Sequence, residues 1–324
     1  MRTIDMHAHI FPVAYLELLS RSNGPLTAER SGDAFDLWFG RRHFARLGPE
    51  FFDPDRRLQA MDEVGVDVQV LTPGPPFLEW VEPERAVEVS RLLNDHMVDL
   101  AERSDGRFLP AAVLPLQCPD AVLGELRRVV DTGHQMVLLP TRSGDTELDD
   151  PALLDVFEEA ERLDMGLLVH PIGRPGTAHL NAYRLDVGVG FTTETTLAAA
   201  RLMLGGYLDR FPRLKLCLSH LGGSLLWLHS RIEMVRDRLP GSSTVTTEGT
   251  AGLIGRFFYD TMVVDADQIR YAIDLVGASR LIFGTDAPYF DDQTAQVLAA
   301  TRRACNGAEC AAVLSENADH FLHG

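Results

Sequence analysis

The sequence predicts an α/β fold, a (β/α)8 TIM barrel, on three observations. Short apolar runs alternate along the chain with longer amphipathic stretches. Several runs, such as Val137-Leu138-Leu139 and Leu167-Leu168-Val169, are apolar at consecutive positions, the mark of strands covered on both faces in a parallel sheet. The alternation repeats eight times, which points to a closed barrel. An open doubly wound sheet is the alternative, but no glycine-rich phosphate fingerprint follows the first strand.

In chain order, strands are expected over Thr3–His7, Asp67–Thr72, Phe108–Leu116, Met136–Thr141, Gly166–His170, Lys215–His220, Phe257–Met262 and Leu281–Gly284. Helices are expected between them. Pro54–Val64 opens with proline in its first turn and is followed by Gly65. Pro83–Arg103 carries apolar residues at Val87, Leu92, Leu93, Met97 and Leu100. Pro151–Leu163, Thr193–Leu208 and Ser224–Leu239 continue the series. Phe11–Phe52 reads as an irregular insertion after strand one, and the chain from Gln293 onward as a helical tail. The expectation is one barrel domain over 1–324, with the insertion at about 11–52.

Composition narrows the partners. Hydrophobic residues make up 45% of the 324, enough for a substantial core. With 30 basic against 47 acidic residues the net charge is −17, which argues against nucleic acid or an anionic membrane as partner. A small anionic substrate remains compatible, because a few arginines in a cleft reverse the local potential. Cys118, Cys217, Cys305 and Cys310 show no disulfide framework and read as reduced thiols of a cytoplasmic protein. No signal peptide and no membrane span are expected.

The chemistry gathers where strands stop. In Thr3-Ile4-Asp5-Met6-His7-Ala8-His9, residues two apart on a strand share a face, so His7 and His9 project together. His170 ends strand five, His220 ends strand six, and Asp286 follows strand eight. Barrel enzymes build their sites on that rim. Singly, His170 reads equally as a turn residue and Asp286 as a helix cap. Their joint placement favours one site of metal and proton chemistry.

These residues resemble the amidohydrolase superfamily, within it the branch of aminocarboxymuconate-semialdehyde decarboxylase and related non-oxidative decarboxylases. The resemblance rests on Ile4-Asp5-Met6-His7-Ala8-His9-Ile10-Phe11-Pro12, Val169-His170-Pro171, Glu194-Thr195-Thr196, Ser219-His220-Leu221-Gly222-Gly223 and Gly284-Thr285-Asp286-Ala287-Pro288. It implies that His7, His9, His170 and Asp286 bind one divalent ion, zinc first and manganese second, together with a water. It implies that His220 stands beside that water as general acid/base, with Asp286 also catalytic. Superfamily members with two bridged metals commonly use a carboxylated lysine at the end of strand four. Here that end reads Leu138-Leu139-Pro140-Thr141-Arg142, and the one lysine, Lys215, starts strand six, so a single ion is expected.

The resemblance further implies a substrate carboxylate met by arginine, whose planar fork pairs with it bidentately. Arg231 matches an arginine that enters the partner subunit's site, which makes a homodimer the expected assembly; a solvated helix arginine is the equal alternative. Arg46 is chosen from the insertion's Arg41, Arg42 and Arg46. Arg184 and Val187 replace the family's tryptophan pair before Glu-Thr-Thr, and Arg184 is a third candidate for an anionic or polar group. The expected reaction is metal-dependent decarboxylation of a small carboxylated aromatic or muconate-type acid. The alternative is a metal-dependent hydrolase or hydratase of a lactone, amide or unsaturated keto acid.

Overall fold

The computed structural model describes residues 2–75, 77–173, 178–239, 245–246, 248–290 and 292–324. Eight parallel strands follow one another around the sheet in chain order. They are β1 (Ile4–His9), β2 (Val68–Thr72), β3 (Phe108–Val113), β4 (Met136–Pro140), β5 (Gly166–His170), β6 (Leu216–Leu218), β7 (Phe258–Asp260) and β8 (Leu281–Ile282). The chain just beyond β8 returns to β1: Met6 N–H donates to the Phe283 carbonyl at 2.9 Å, and Asp286 N–H to the His7 carbonyl at 2.7 Å. Those bonds close the barrel where the site lies.

Helices cover the strands as the pattern requires. Pro54–Val64 is capped by the Asp53 carboxylate, which accepts from the Asp55 and Arg56 N–H groups, and ends at Gly65. Pro83–Arg103 runs as expected. Two further helices, Pro119–Asp131 and Ala266–Val276, complete the alternation. The stretch expected as Thr193–Leu208 is divided: a π-helical segment Asp186–Phe191 leads into Thr192–Leu204, and Gly205-Gly206 separates that from Tyr207–Arg210. Gly206, at φ 76°, supplies the left-handed turn that a continuous helix cannot make.

The insertion lies where expected but has regular structure of its own. Helix Val13–Ser20 precedes a three-stranded antiparallel sheet of Leu26–Ser31, Ala34–Phe39 and Arg42–Leu47. Its apolar residues, Leu26, Ala28, Phe35, Leu37 and Leu47, pack with Phe11, Phe51 and Phe77 over the end of the barrel. Charged residues between them hide the alternation along the sequence. The tail helix Asn317–His323 seals the opposite end, with Phe321 lying where any side chain on Gly166 would have to go.

One irregularity aims the first histidines. Between Asp5 and Ala8, β1 carries one residue more than β2, the signature of a bulge. Before it, Ile4 and Met6 pack with Leu168, Cys217 and Phe258. After it, His7 and His9 face the mouth residues. Asp5 is buried and accepts from Gln69 Nε2 at 2.8 Å, Thr285 Oγ1 at 2.7 Å and Thr285 N–H at 3.0 Å. Gln69 in turn accepts from Arg57, a buried guanidinium that also donates to the His9 and Glu50 carbonyls. This network joins β1, β2, the first barrel helix and the β8 loop. Among the described residues no helix is long and apolar enough to cross a membrane.

Replacing Arg57 by Met keeps much of the stem but strips the donors from three acceptors, two of them fully buried. Urea unfolding should show a loss on the order of 3 kcal/mol; an unchanged midpoint would show that the network does not hold the barrel end together.

Candidate metal centre and active site

Four side chains from the ends of three strands, β1, β5 and β8, meet at the mouth of the barrel. One donor atom from each of His7, His9, His170 and Asp286 lies within 4.8 Å of every other. Asp286 Oδ1 stands 2.8 Å from His9 Nε2, 3.3 Å from His7 Nε2 and 3.7 Å from His170 Nε2. The other oxygen, Oδ2, is 3.4 Å from His220 Nε2. The carboxylate therefore divides its oxygens between a donor cluster and the fifth imidazole.

The outer partners fix which nitrogen each ring offers. His7 Nδ1 donates to Asp260 Oδ2 at 2.7 Å. His9 Nδ1 faces the Pro73 carbonyl at 3.1 Å and Thr72 Oγ1 at 2.7 Å. His170 Nδ1 faces the Pro171 carbonyl at 2.7 Å. A carbonyl or carboxylate can only accept, so Nδ1 carries a proton in all three and Nε2 is the nitrogen turned inward. The Nε2 atoms of His7 and His9 sit 3.1 Å apart, and His170 Nε2 is buried without a hydrogen-bond partner among the described residues. Nitrogens so arranged call for a cation between them, either a proton on His7 Nε2 or a metal ion in its place.

The charges agree. Burial would raise Asp286, but the surrounding histidines hold its carboxyl well below the usual range, and Asp260 is lowered by His7 in the same way. Burial pulls His170 down to about 3 and lowers His9, so both are neutral near pH 7. Burial also opposes charge on His7, yet Asp286 and Asp260 together raise it to about 10. Two carboxylates against one imidazolium leave a buried net negative charge. Three imidazole nitrogens and one carboxylate suit zinc and similar divalent ions.

Local backbone sets His220 beside this cluster. His220 and Leu221 both have φ of 55°, the left-handed region, which ends β6 at Leu218 and turns the ring to the centre. The Leu221 N–H donates to Asp260 Oδ1 at 3.0 Å, so one carboxylate holds both His7 and the His220 loop. Gly223 passes so close to the helix Thr192–Leu204 that a Cβ would lie 2.2 Å from the Thr192 carbonyl oxygen. Glu194 of that helix accepts from the Ile172 and Gly173 N–H groups and from Thr141 Oγ1, tying β4 to the turn after His170.

Asp260 was legible only as a supporting residue or an ordinary turn, and the structure gives it the supporting position. No motif pointed to Thr72 and Pro73 behind His9, nor to Phe77 and Tyr289, whose rings stand 6.3 and 5.5 Å from the His9 ring. Lys215 lies at the start of β6, 3.1 Å from Asp164 and away from the cluster.

A cavity of about 1170 Å³ opens above the cluster, with His170, His220 and Asp286 in its floor. Arg46, from the insertion sheet, and Arg184, after β5, both line it. Each is already paired, Arg46 with Asp36 at 2.9 Å and Arg184 with Asp186 at 3.4 Å. Arg42 also bonds Asp186, joining the insertion to that wall. Arg231 is exposed on helix Leu225–Arg238 and is not among the residues lining this chain's cavity.

A buried cluster of three histidines and an aspartate on a barrel rim, with a further histidine beside it, defines a metal-dependent barrel enzyme. The chain belongs to the amidohydrolase family, which it matches over residues 4–323, in the branch of its decarboxylases. It is 30% identical to a 2-amino-3-carboxymuconate-6-semialdehyde decarboxylase of Dictyostelium discoideum, over 88% of this chain and 81% of that protein. It is 29% identical to a gamma-resorcylate decarboxylase of Rhizobium radiobacter, over 72% of this chain and 76% of the relative. A crystal structure of dihydroxybenzoic acid decarboxylase from Polaromonas sp., with bound manganese and 2-nitroresorcinol, superposes with a TM-score of 0.82 at 24% identity, covering 99% of this chain and 96% of that one.

Two outcomes follow. Asp260→Ala should weaken divalent-metal affinity about 10- to 100-fold in chelator competition; unaltered affinity would make Asp260 a turn residue only. Because the raised His7 is protonated until the pH approaches about 10, metal binding at pH 8 must displace that proton. Calorimetry in buffers of different ionisation enthalpy should show about one proton released, and affinity should rise with pH. For the metal-free fold the sign is opposite: the His7 contribution to stability is complete below about 6.5 and fades as pH climbs through about 10.

Proposed function

We propose that this chain is a decarboxylase that removes carbon dioxide, without an oxidant, from a small carboxylated aromatic or muconate-type acid. The observation that carries the reading is the position of His220, in the cavity floor beside the four-donor cluster and outside it. Zinc is the proposed ion, on the nitrogen-rich donor set, with manganese as the alternative that the Polaromonas decarboxylase supports. When bound, the ion supplies positive charge that holds the substrate and stabilises negative charge as it develops.

The protein's own residues do the rest. His7, His9, His170 and Asp286 hold the ion, each fixed by its outer partner. His220 gives a proton to the carbon that bore the carboxyl group as the carbon–carboxyl bond breaks and its electron pair stays on carbon. Asp286 Oδ2, 3.4 Å away, orients that imidazole. Arg46 and Arg184 are proposed to meet the acid's other anionic or polar groups from the wall. Arg231 is proposed to serve the site of a second copy, since its exposed position lets it reach a cavity only across a homodimer interface. The four cysteines, free in the structure, fit a cytoplasmic setting.

A panel of dihydroxybenzoic and muconate-type acids should release carbon dioxide with the metal-loaded protein. Hydrated or hydrolysed products without carbon dioxide would replace the reading by hydrolase or hydratase chemistry. His220→Asn should lower kcat by about 10²- to 10⁴-fold with metal content unchanged; full activity in that variant would remove His220 from the mechanism.

A further inference from the structure

We infer that the site takes an aromatic acid bearing an extended apolar substituent opposite its carboxyl group, rather than a bare single-ring acid. The inference deepens the decarboxylase reading and rests on it. In a single chain the cavity holds about 1170 Å³, at or beyond the upper end of the roughly 300–1,000 Å³ of pockets that enclose drug-sized ligands. A lone ring seated over His220 would occupy only its floor.

Polarity is distributed to match. His170, His220 and Asp286 lie together at the floor, while Val187, Phe191, Leu226, Met262 and Val263 form much of the lining above it. The wall arginines, each paired with a carboxylate, Asp36 or Asp186, are polar exceptions in this lining. The apolar lining continues to the mouth through Trp227, 76% exposed, and Tyr271, 42% exposed, whose ring centroids are 6.2 Å apart. Exposed rings contiguous with a site mark a surface that binds something. Their continuity with the floor favours the outer part of the same ligand.

The wall has room by sequence as well. Gly188 lines the cavity next to Val187, and a Cβ built on it meets nothing within 4 Å. A large side chain at that position should narrow the space while leaving the backbone unstrained.

The test is a series of 4-alkyl-2,6-dihydroxybenzoates, methyl to pentyl, assayed for carbon dioxide release by the metal-loaded protein. kcat/KM should rise about threefold per methylene, on the order of 50- to 100-fold across the series. Gly188→Trp should lower the pentyl-to-methyl preference at least tenfold, with an unfolding midpoint like that of the parent confirming the fold. Release that is flat along the series overturns the inference and leaves the decarboxylase reading standing. A flat series together with altered subunit assembly in Trp227→Ala would give the exposed rings to a second copy. Release from no member of the series or of the wider acid panel overturns both readings.

Discussion

Three imidazoles aimed at one buried carboxylate form the constraint on which the rest of this structure depends. Without a metal ion, the arrangement leaves His170 Nε2 unpartnered among the described residues and two carboxylates facing a single imidazolium. A protein tolerates that only if the surrounding backbone holds it, and here every ligand is held twice. The strand fixes its direction, and an acceptor behind the ring fixes its tautomer: Asp260 for His7, the Pro73 carbonyl for His9, the Pro171 carbonyl for His170. Asp286 is pinned through its backbone to His7, the residue it must face.

Closure and chemistry are thus one feature. The bonds that join the end of β8 to β1 place Asp286 beside His7 and His9. Gly284 permits the approach, since a Cβ there would lie 2.9 Å from His7 Cβ and 3.0 Å from Asp260 Cβ. Beneath, Asp5, Gln69 and Arg57 tie the same two strand ends to the first helix. Loosening the seam would separate the ligands as it opened the barrel.

Much of this was legible in the sequence because strands in such a barrel end on one rim, so a histidine at the end of an apolar run is located once the run is recognised. His7, His9, His170, His220 and Asp286 were all found that way, and the structure brings them together. What escaped has a common cause: it depends on contacts distant in sequence. Thr72 gains its role from a ring 63 positions away, and Asp260 from one 253 positions away. The insertion sheet escaped because Glu29, Arg30, Asp36 and Arg46 interrupt its apolar alternation. The division of the helix expected over Thr193–Leu208 was written in Gly205-Gly206, a signal that the surrounding helical periodicity outweighed.

The floor and the walls of the cavity are built on different parts of the chain. Ligands and His220 stand on or immediately after barrel strands, each over-determined by backbone and partner. The walls belong to the insertion and to the segment after β5, joined to each other through Arg42 and Asp186. An added or deleted side chain in those walls changes the shape and charge a substrate meets without moving any metal donor. Relatives that bear the names of decarboxylases for a muconate semialdehyde and for a resorcylate are what such a division permits. In this chain the wall has Val187 and Gly188 where a bulkier pair would leave less space, and specificity should follow from that vacancy of side chain rather than from the metal centre beneath it.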